Sequence, residues 1–249
     1  MEWRDDDWLY LKSGGYPRLE VPAPVEAINT QAKQVSENYD FSNTKIPLAF
    51  QSLRIPMSEE WISLQARPSF LRLYGRESLT SFHRQSLLAR RIQHFNMQAT
   101  TCLDFSPRHY QQMAGLVCYY NTSHWYYLHL HGGEINENSG KKYLQITSCD
   151  NFEMQEQLQI PMDLTDNDQV HLKAHLDHAA LQFAYSLDGQ NWTAIGPILD
   201  GSILSDDYVR DGSNRYRPAF TGAFVGVCCQ DLSGLGQFAD FGSFRYAGE

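Results

Sequence analysis

Apolar and polar residues alternate along most of this chain with a period of two. Leu71 and Leu73 fall on one side of a run while Phe70, Arg72 and Tyr74 fall on the other, and Gly75 closes it. Gln98, Thr100 and Cys102 alternate in the same way with Ala99, Thr101 and Leu103. Further extended runs are predicted at Leu48 to Leu53, from near Gln85, and at Met113 to Tyr120, Trp125 to His131, Tyr143 to Ser148 and Gln169 to His175. No segment keeps helical spacing for three turns. Strands recurring roughly every 8 to 14 residues with short connections predict an all-β chain, an antiparallel β-sandwich.

Breaks in the alternation place the turns. Leu181 to Trp192 is predicted to be a hairpin about Asp188-Gly189, a pair that tolerates the positive φ angles of a tight turn. Leu199 to Ala219 reads as a long polar insertion, and loops of that length are usually functional or disordered. Thr221 to Gln230 and Phe238 to Tyr246 read as core strands that close the sheet. Residues 1–25 differ: Trp3, Trp8, Leu9 and Tyr10 are separated by Asp5-Asp6-Asp7, and Pro22 and Pro24 favour an extended connector. The expected organisation is a linker over 1–25 and a sandwich domain over 26–249.

Three motifs in order carry a resemblance. The first is the arginine-rich stretch 66–95, with Arg-Pro-Ser-Phe-Leu-Arg-Leu-Tyr-Gly-Arg at 67–76 and Leu-Leu-Ala-Arg-Arg-Ile-Gln-His-Phe at 87–95. The second is Gln112 to Asn121, and the third Thr221-Gly222-Ala223-Phe224-Val225-Gly226. Together they resemble the C-terminal β-sandwich domain of family 43 glycoside hydrolases of the β-xylosidase type. The resemblance implies a concanavalin A-like jelly roll. It also implies an accessory role in hydrolysing xylo-oligosaccharides, with the acid and base on a five-bladed propeller that no part of this sequence matches. That propeller would be the partner, in cis or as a separate chain, and residues 1–25 resemble its closing tail. Phe220, just before the third motif, stands where the family presents an aromatic side chain to the mouth of the propeller's pocket; a plain loop anchor also suits that position. The family further implies homo-oligomers. The alternative is a free-standing carbohydrate-binding module of lectin-like fold.

Charge and composition narrow the partners. With 20 basic and 29 acidic residues the net charge is −9, which opposes nucleic acid or an anionic membrane as the main partner. No apolar run approaches the roughly 20 residues that cross a bilayer, and the N-terminus lacks a secretion signal. Five cysteines without metal spacing read as buried reduced thiols, which suits the cytoplasm. The neighbours Cys228 and Cys229 are expected on opposite faces of one strand.

Candidate chemistry is sparse. A glycosidase needs two carboxyl groups flanking the scissile bond, and Glu77, Asp104 and Glu134 sit in no motif that singles them out, so the chain alone is expected to be inactive. His129 and His131 share a strand face near His124 and Glu134, yet spacing supplies no third ligand, and Asp206-Asp207 lacks a calcium-loop pattern; neither a metal nor another cofactor is expected. Tyr119, Tyr120, Trp125, Tyr126 and Tyr127 read as core packing with one partly exposed face. The arginines Arg67, Arg72, Arg76 and Arg90, with Arg84 and Arg91, either pair with carboxylates across a domain interface or form a solvated face.

Overall fold

A computed structural model describes residues 2–11, 34–43, 45–134, 140–211 and 219–249. The chain divides into two units, Met1–Lys33 and Gln34–Glu249. The boundary expected at residue 25, with Pro22 and Pro24, lies outside the described residues. Within the first unit, Glu2–Trp3 (β1) pairs with Leu9–Tyr10 (β2) as a small hairpin where a connector was expected. Its turn is held locally: Tyr10 donates to Asp6 at 2.7 Å and the Arg4 guanidinium lies 4.2 Å from the Tyr10 ring centroid.

The second unit is built almost wholly of strands. They are Val35–Tyr39 (β3), Phe50–Ser52 (β4), Ile62–Ser63 (β5), Leu71–Tyr74 (β6), Ser86–Arg91 (β7), Asn96–Asp104 (β8), Gln112–Asn121 (β9) and His124–Gly132 (β10), then Lys142–Asp150 (β11), Glu153–Glu156 (β12), Met162–Asp163 (β13), Gln169–Asp177 (β14), Ala180–Ser186 (β15), Thr193–Asp200 (β16), Phe224–Asp231 (β17) and Phe238–Gly248 (β18). One sheet runs β12-β11-β10-β9-β17-β7-β4 with β13 also on β11; the other runs β16-β15-β14-β8-β18-β6-β5 with β3 also on β18. Every named pair is antiparallel. The two closing strands of the chain therefore do not finish an edge. Each enters the middle of a sheet, β17 between β9 and β7 and β18 between β8 and β6.

Alternation explains what each strand buries. Leu71 and Leu73 of β6, Ala99 and Leu103 of β8, Leu116 and Cys118 of β9 and Val225 and Val227 of β17 meet between the sheets. On β18 the inward set changes parity, from Ala239 and Phe241 to Phe244 and Tyr246. The pairing with β8 slips between Phe241 and Ser243, and a one-residue bulge there returns both aromatic rings to the core. The first sheet buries its other face as well. Leu87, Val117, Tyr119, Trp125, Tyr127, Cys149 and Cys228 form a second cluster with Leu79, so the aromatic face expected to be partly exposed is closed. Cys228 and Cys229 do fall on opposite faces, and all five cysteines are buried free thiols.

Two connections differ from expectation. Between β15 and β16 the loop spans residues 187–192; Gly189 alone has a positive φ (72°), and the Asp188 carboxylate accepts the amides of Gln190 and Asn191 at 2.8 and 2.7 Å. An Asp-centred wide loop replaces the tight turn. After Asp200 the chain forms a 3₁₀ turn, Gly201–Leu204, and a short helix, Asp206–Asp211 (α1), burying Ile203, Leu204 and Val209. Among the described residues no helix is long and apolar enough to cross a membrane.

Candidate functional site

Phe220 presents an exposed aromatic ring on a built support, with 78% of its surface accessible. Ala219 before it is fully buried, and the turn after it is fastened from three sides. The Asp206 carboxylate accepts the Gly222 amide at 3.2 Å and the Tyr120 hydroxyl at 2.6 Å through the same oxygen. The Arg91 guanidinium, at the end of β7, donates to the Thr221 carbonyl. Ile92 donates its amide to the Ala223 carbonyl at 2.9 Å. Gly222 has φ of 68°, and a Cβ there would lie 2.6 Å from Arg91 Nη1. The left-handed backbone favours glycine at this point, and a Cβ would press on the tip of the Arg91 side chain.

The support is itself tied down by tyrosine hydroxyls. Tyr126 donates to the Asp200 carbonyl at 2.9 Å, and Tyr208 of α1 donates to Asp150 of β11 at 2.6 Å. That bond to Asp150, with burial second, pushes the Tyr208 hydroxyl up to about 12. Burial first and the bond to Asp206 second raise Tyr120 as well. The Arg210 guanidinium stands 5.8 Å from the Phe220 ring centroid, within reach of the ring's negative face. The remainder of the predicted insertion, residues 212–218 with Arg215, Tyr216, Arg217 and Pro218, lies outside the described residues. Beside this turn the surface opens into an apolar groove of about 470 Å³, lined by Ile92, Phe95, Leu176, His178, Leu204 and Ala223.

The arginines take mostly internal partners. Arg72 donates from Nε and Nη2 to Asp240 at 2.7 Å each, and Arg67 donates to Asp104 at 2.6 Å and Asp240 at 3.1 Å. Arg90, 2% exposed, pairs with Glu37 and donates to Gln93 at 2.9 Å. Each also lies on an aromatic face, Arg67 on Phe70, Arg72 on Phe238 and Arg90 on Tyr246, at 3.6, 3.8 and 3.9 Å. These three guanidinium groups spend their charge inside the sandwich, where an interface reading had them meeting carboxylates across a domain boundary. Arg76 is different: its backbone carbonyl accepts the Asp231 amide at 2.9 Å, but its half-buried guanidinium makes no hydrogen bond or ion pair among the described residues, and burial holds its pKa below the ordinary arginine value.

No pair of opposed carboxyls suited to glycoside cleavage is found among the described residues. Asp104 and Asp240 come nearest, directly opposite on β8 and β18, but Arg67 lies between them and Arg72 occupies the second. Glu77 accepts Ser81 and the Arg84 amide at its own loop, and Glu134 is exposed. The His129 and His131 rings lie 5.7 Å apart and tilted by 51°, and no group of three or more metal-ligating side chains exists among the described residues. Asp206, weighed in sequence as a calcium ligand, is the clasp described above.

Residues 38–247 match the family model described as the beta xylosidase C-terminal concanavalin A-like domain. The chain belongs to this family. It is 38% identical over 249 residues to a beta-xylosidase of Bacillus subtilis and 36% identical over 248 residues to a xylosidase/arabinosidase of Humicola insolens, covering 98% of this chain and 44% of each relative. Among solved structures it is similar to the xylan beta-1,4-xylosidase of Bacillus halodurans, with 38% identity, TM-score 0.83, and coverage of 98% of this chain and 45% of that one. A family 43 protein of Bacillus licheniformis superposes with TM-score 0.77 at 27% identity, over 100% of this chain and 46% of that one. The chain thus spans less than half the length of the relatives it matches. The jelly-roll sandwich expected from the motifs is the fold of the family, and Gly75, Gly115 and Gly226 of those motifs fall at close backbone approaches within it.

Proposed function

We propose that this chain serves as the accessory sandwich of a β-xylosidase-type glycoside hydrolase, acting on xylo- or arabino-oligosaccharides through a catalytic propeller that supplies the acid and base. The observation that supports this reading is Phe220, an exposed aromatic ring on a fastened turn; the resemblance puts a pocket-covering side chain at this position. The adjoining apolar groove and the Arg76 guanidinium, unpaired among the described residues, are the parts of the surface offered to that propeller. Burial of free thiols fits a reducing compartment, and we place the protein in the cytoplasm on that ground. Self-association, which the resemblance implies, is measured by sedimentation of the chain.

Two experiments test the reading. The chain alone is expected to release no nitrophenol from an aryl β-xyloside at any pH; clear turnover would remove the proposal. Titration with xylo-oligosaccharides is expected to give no saturable binding, whereas a free-standing carbohydrate-binding module saturates. The closed aromatic face of the first sheet argues against the module, because Tyr119, Trp125 and Tyr127 are buried and have no ring face open to a sugar.

A further inference from the structure

The Phe220 turn is held by a side chain that lies outside it in sequence. Asp206 sits at the start of α1, and one of its carboxylate oxygens joins two elements distant in sequence: the Tyr120 hydroxyl of β9 at 2.6 Å and the Gly222 amide at 3.2 Å. Hydrogen bonds to an ionised acceptor are the strong ones. They hold the backbone two residues beyond Phe220, next in sequence to the Arg91 contact to Thr221. α1 cannot drift with its cargo, because Tyr208 is bonded to Asp150 and Val209 is buried. Phe220, by contrast, is largely exposed, and the Arg210 guanidinium 5.8 Å from its ring centroid is the one ring contact described for it. The direction of the ring is therefore set by the backbone that the carboxylate holds.

We propose that Asp206 is a positioning residue for Phe220: it clasps the turn to β9 so that the aromatic ring projects in one fixed direction towards the bound sugar. This rests on the reading of Phe220 as the pocket-covering residue, and it adds the residue through which that role is exerted. Asp206→Ala removes the acceptor. Asp206→Asn keeps an oxygen at the same place and retains both bonds in weaker form. Tyr120→Phe removes the far anchor and leaves the bond to Gly222.

Two measurements separate the parts. In this chain, amide exchange at Gly222 is expected to quicken about ten- to hundredfold in Asp206→Ala and to return most of the way in Asp206→Asn. Unchanged exchange overturns the clasp whatever Phe220 does. In the enzyme formed with the proposed catalytic propeller, in cis or as a separate chain, Asp206→Ala is expected to raise KM for xylobiose about tenfold, as Phe220→Ala is, with Asp206→Asn near wild type. Tyr120→Phe is expected to fall between them. Faster exchange with a KM effect only in Phe220→Ala overturns the positioning role. No KM effect from Phe220→Ala overturns the pocket reading and the positioning role with it, while the exchange result still reports on the clasp. A Tm within a few degrees of wild type shows that the variants fold.

Discussion

Arg72 and Asp240 stand directly opposite each other on β6 and β18, and the guanidinium closes on the carboxylate through two bonds of 2.7 Å. On its other side Asp240 faces Asp104 of β8, a like charge in the opposed position. Such a pair destabilises a sheet unless a cation intervenes. Arg67 does so, reaching both carboxylates from the connection before β6. Two arginines thus make three adjacent strands register-specific at one level, which is what the arginine density of this stretch accomplishes.

Asp240→Ala is expected to lower unfolding stability by about 3–5 kcal/mol, because it strands the Arg72 cation in a mostly buried position. Arg67→Ala is expected to cost less, since Arg67 and Asp104 are each about a third exposed in their side chains (35% and 29%) and water screens what remains. Urea unfolding of both variants measures the order. Equal losses, or none from Asp240→Ala, would show that the pairing does not fix the strands.

Glu37 and Arg90 make the corresponding link between sheets, β3 of one to β7 of the other. The Tyr39 hydroxyl, ahead of Arg90, holds the Glu37 carboxyl below the usual range against the opposing effect of burial. A carboxyl with a depressed folded pKa contributes stability that is present above its unfolded pKa and lost as pH falls through the folded one. Glu37→Gln is therefore expected to weaken the chain at neutral pH and to flatten its acid transition below the ordinary glutamate range. Acid titration followed by near-ultraviolet circular dichroism checks this; parallel curves for the two proteins would contradict it.

Strand alternation exposed most of the architecture before any coordinates, because a sheet with one buried face writes itself into sequence with a period of two. It failed where that condition fails. In β9, β10 and β17 both faces are buried, so Tyr119, Trp125 and Tyr127 looked like half-exposed positions when they are core. The bulge after Phe241 reverses the alternation without changing composition. The carboxylate partners of Arg67, Arg72 and Arg90 lie 37 to 173 residues away, or 53 for Glu37, and no local spacing rule reaches that far. The same holds for the clasp: Asp206 and Tyr120 are 86 residues apart. Asp206 was legible only as one acid in a polar run.

Gly115, in the middle of β9, marks a close approach that sequence shows only as a glycine in a strand. A Cβ there would collide with the Leu128 carbonyl oxygen and lie 2.7 Å from His129 Cα on the neighbouring strand. These are backbone atoms in the centre of a sheet and have nowhere to move. Gly115→Ala is expected to lose most of the soluble folded protein, a destabilisation of more than about 3 kcal/mol. Recovery of the variant with wild-type Tm would mean that β9 and β10 lie further apart than described.

His129 lies next along that approach, and burial with His131 as the second cause pushes its pKa down from 6.5 to about 3. It is held neutral, with Nε2 bonded to Thr147 Oγ1 at 2.9 Å and Nδ1 buried without a hydrogen-bond partner. Between pH 6.5 and 3 the unfolded chain binds a proton at this histidine that the folded chain refuses. Stability must therefore fall as pH falls across that window, by up to about 1.4 kcal/mol per pH unit for one group. His131, also lowered by burial, adds in the same direction. Replacing His129 with Gln removes one proton from the difference while keeping a polar group near Thr147. Urea midpoints at pH 7, 6 and 5 are expected to drop steeply in the wild type and more gently in His129→Gln. Should both lines run parallel, the imidazole is protonated in the fold and the face it occupies is open to water.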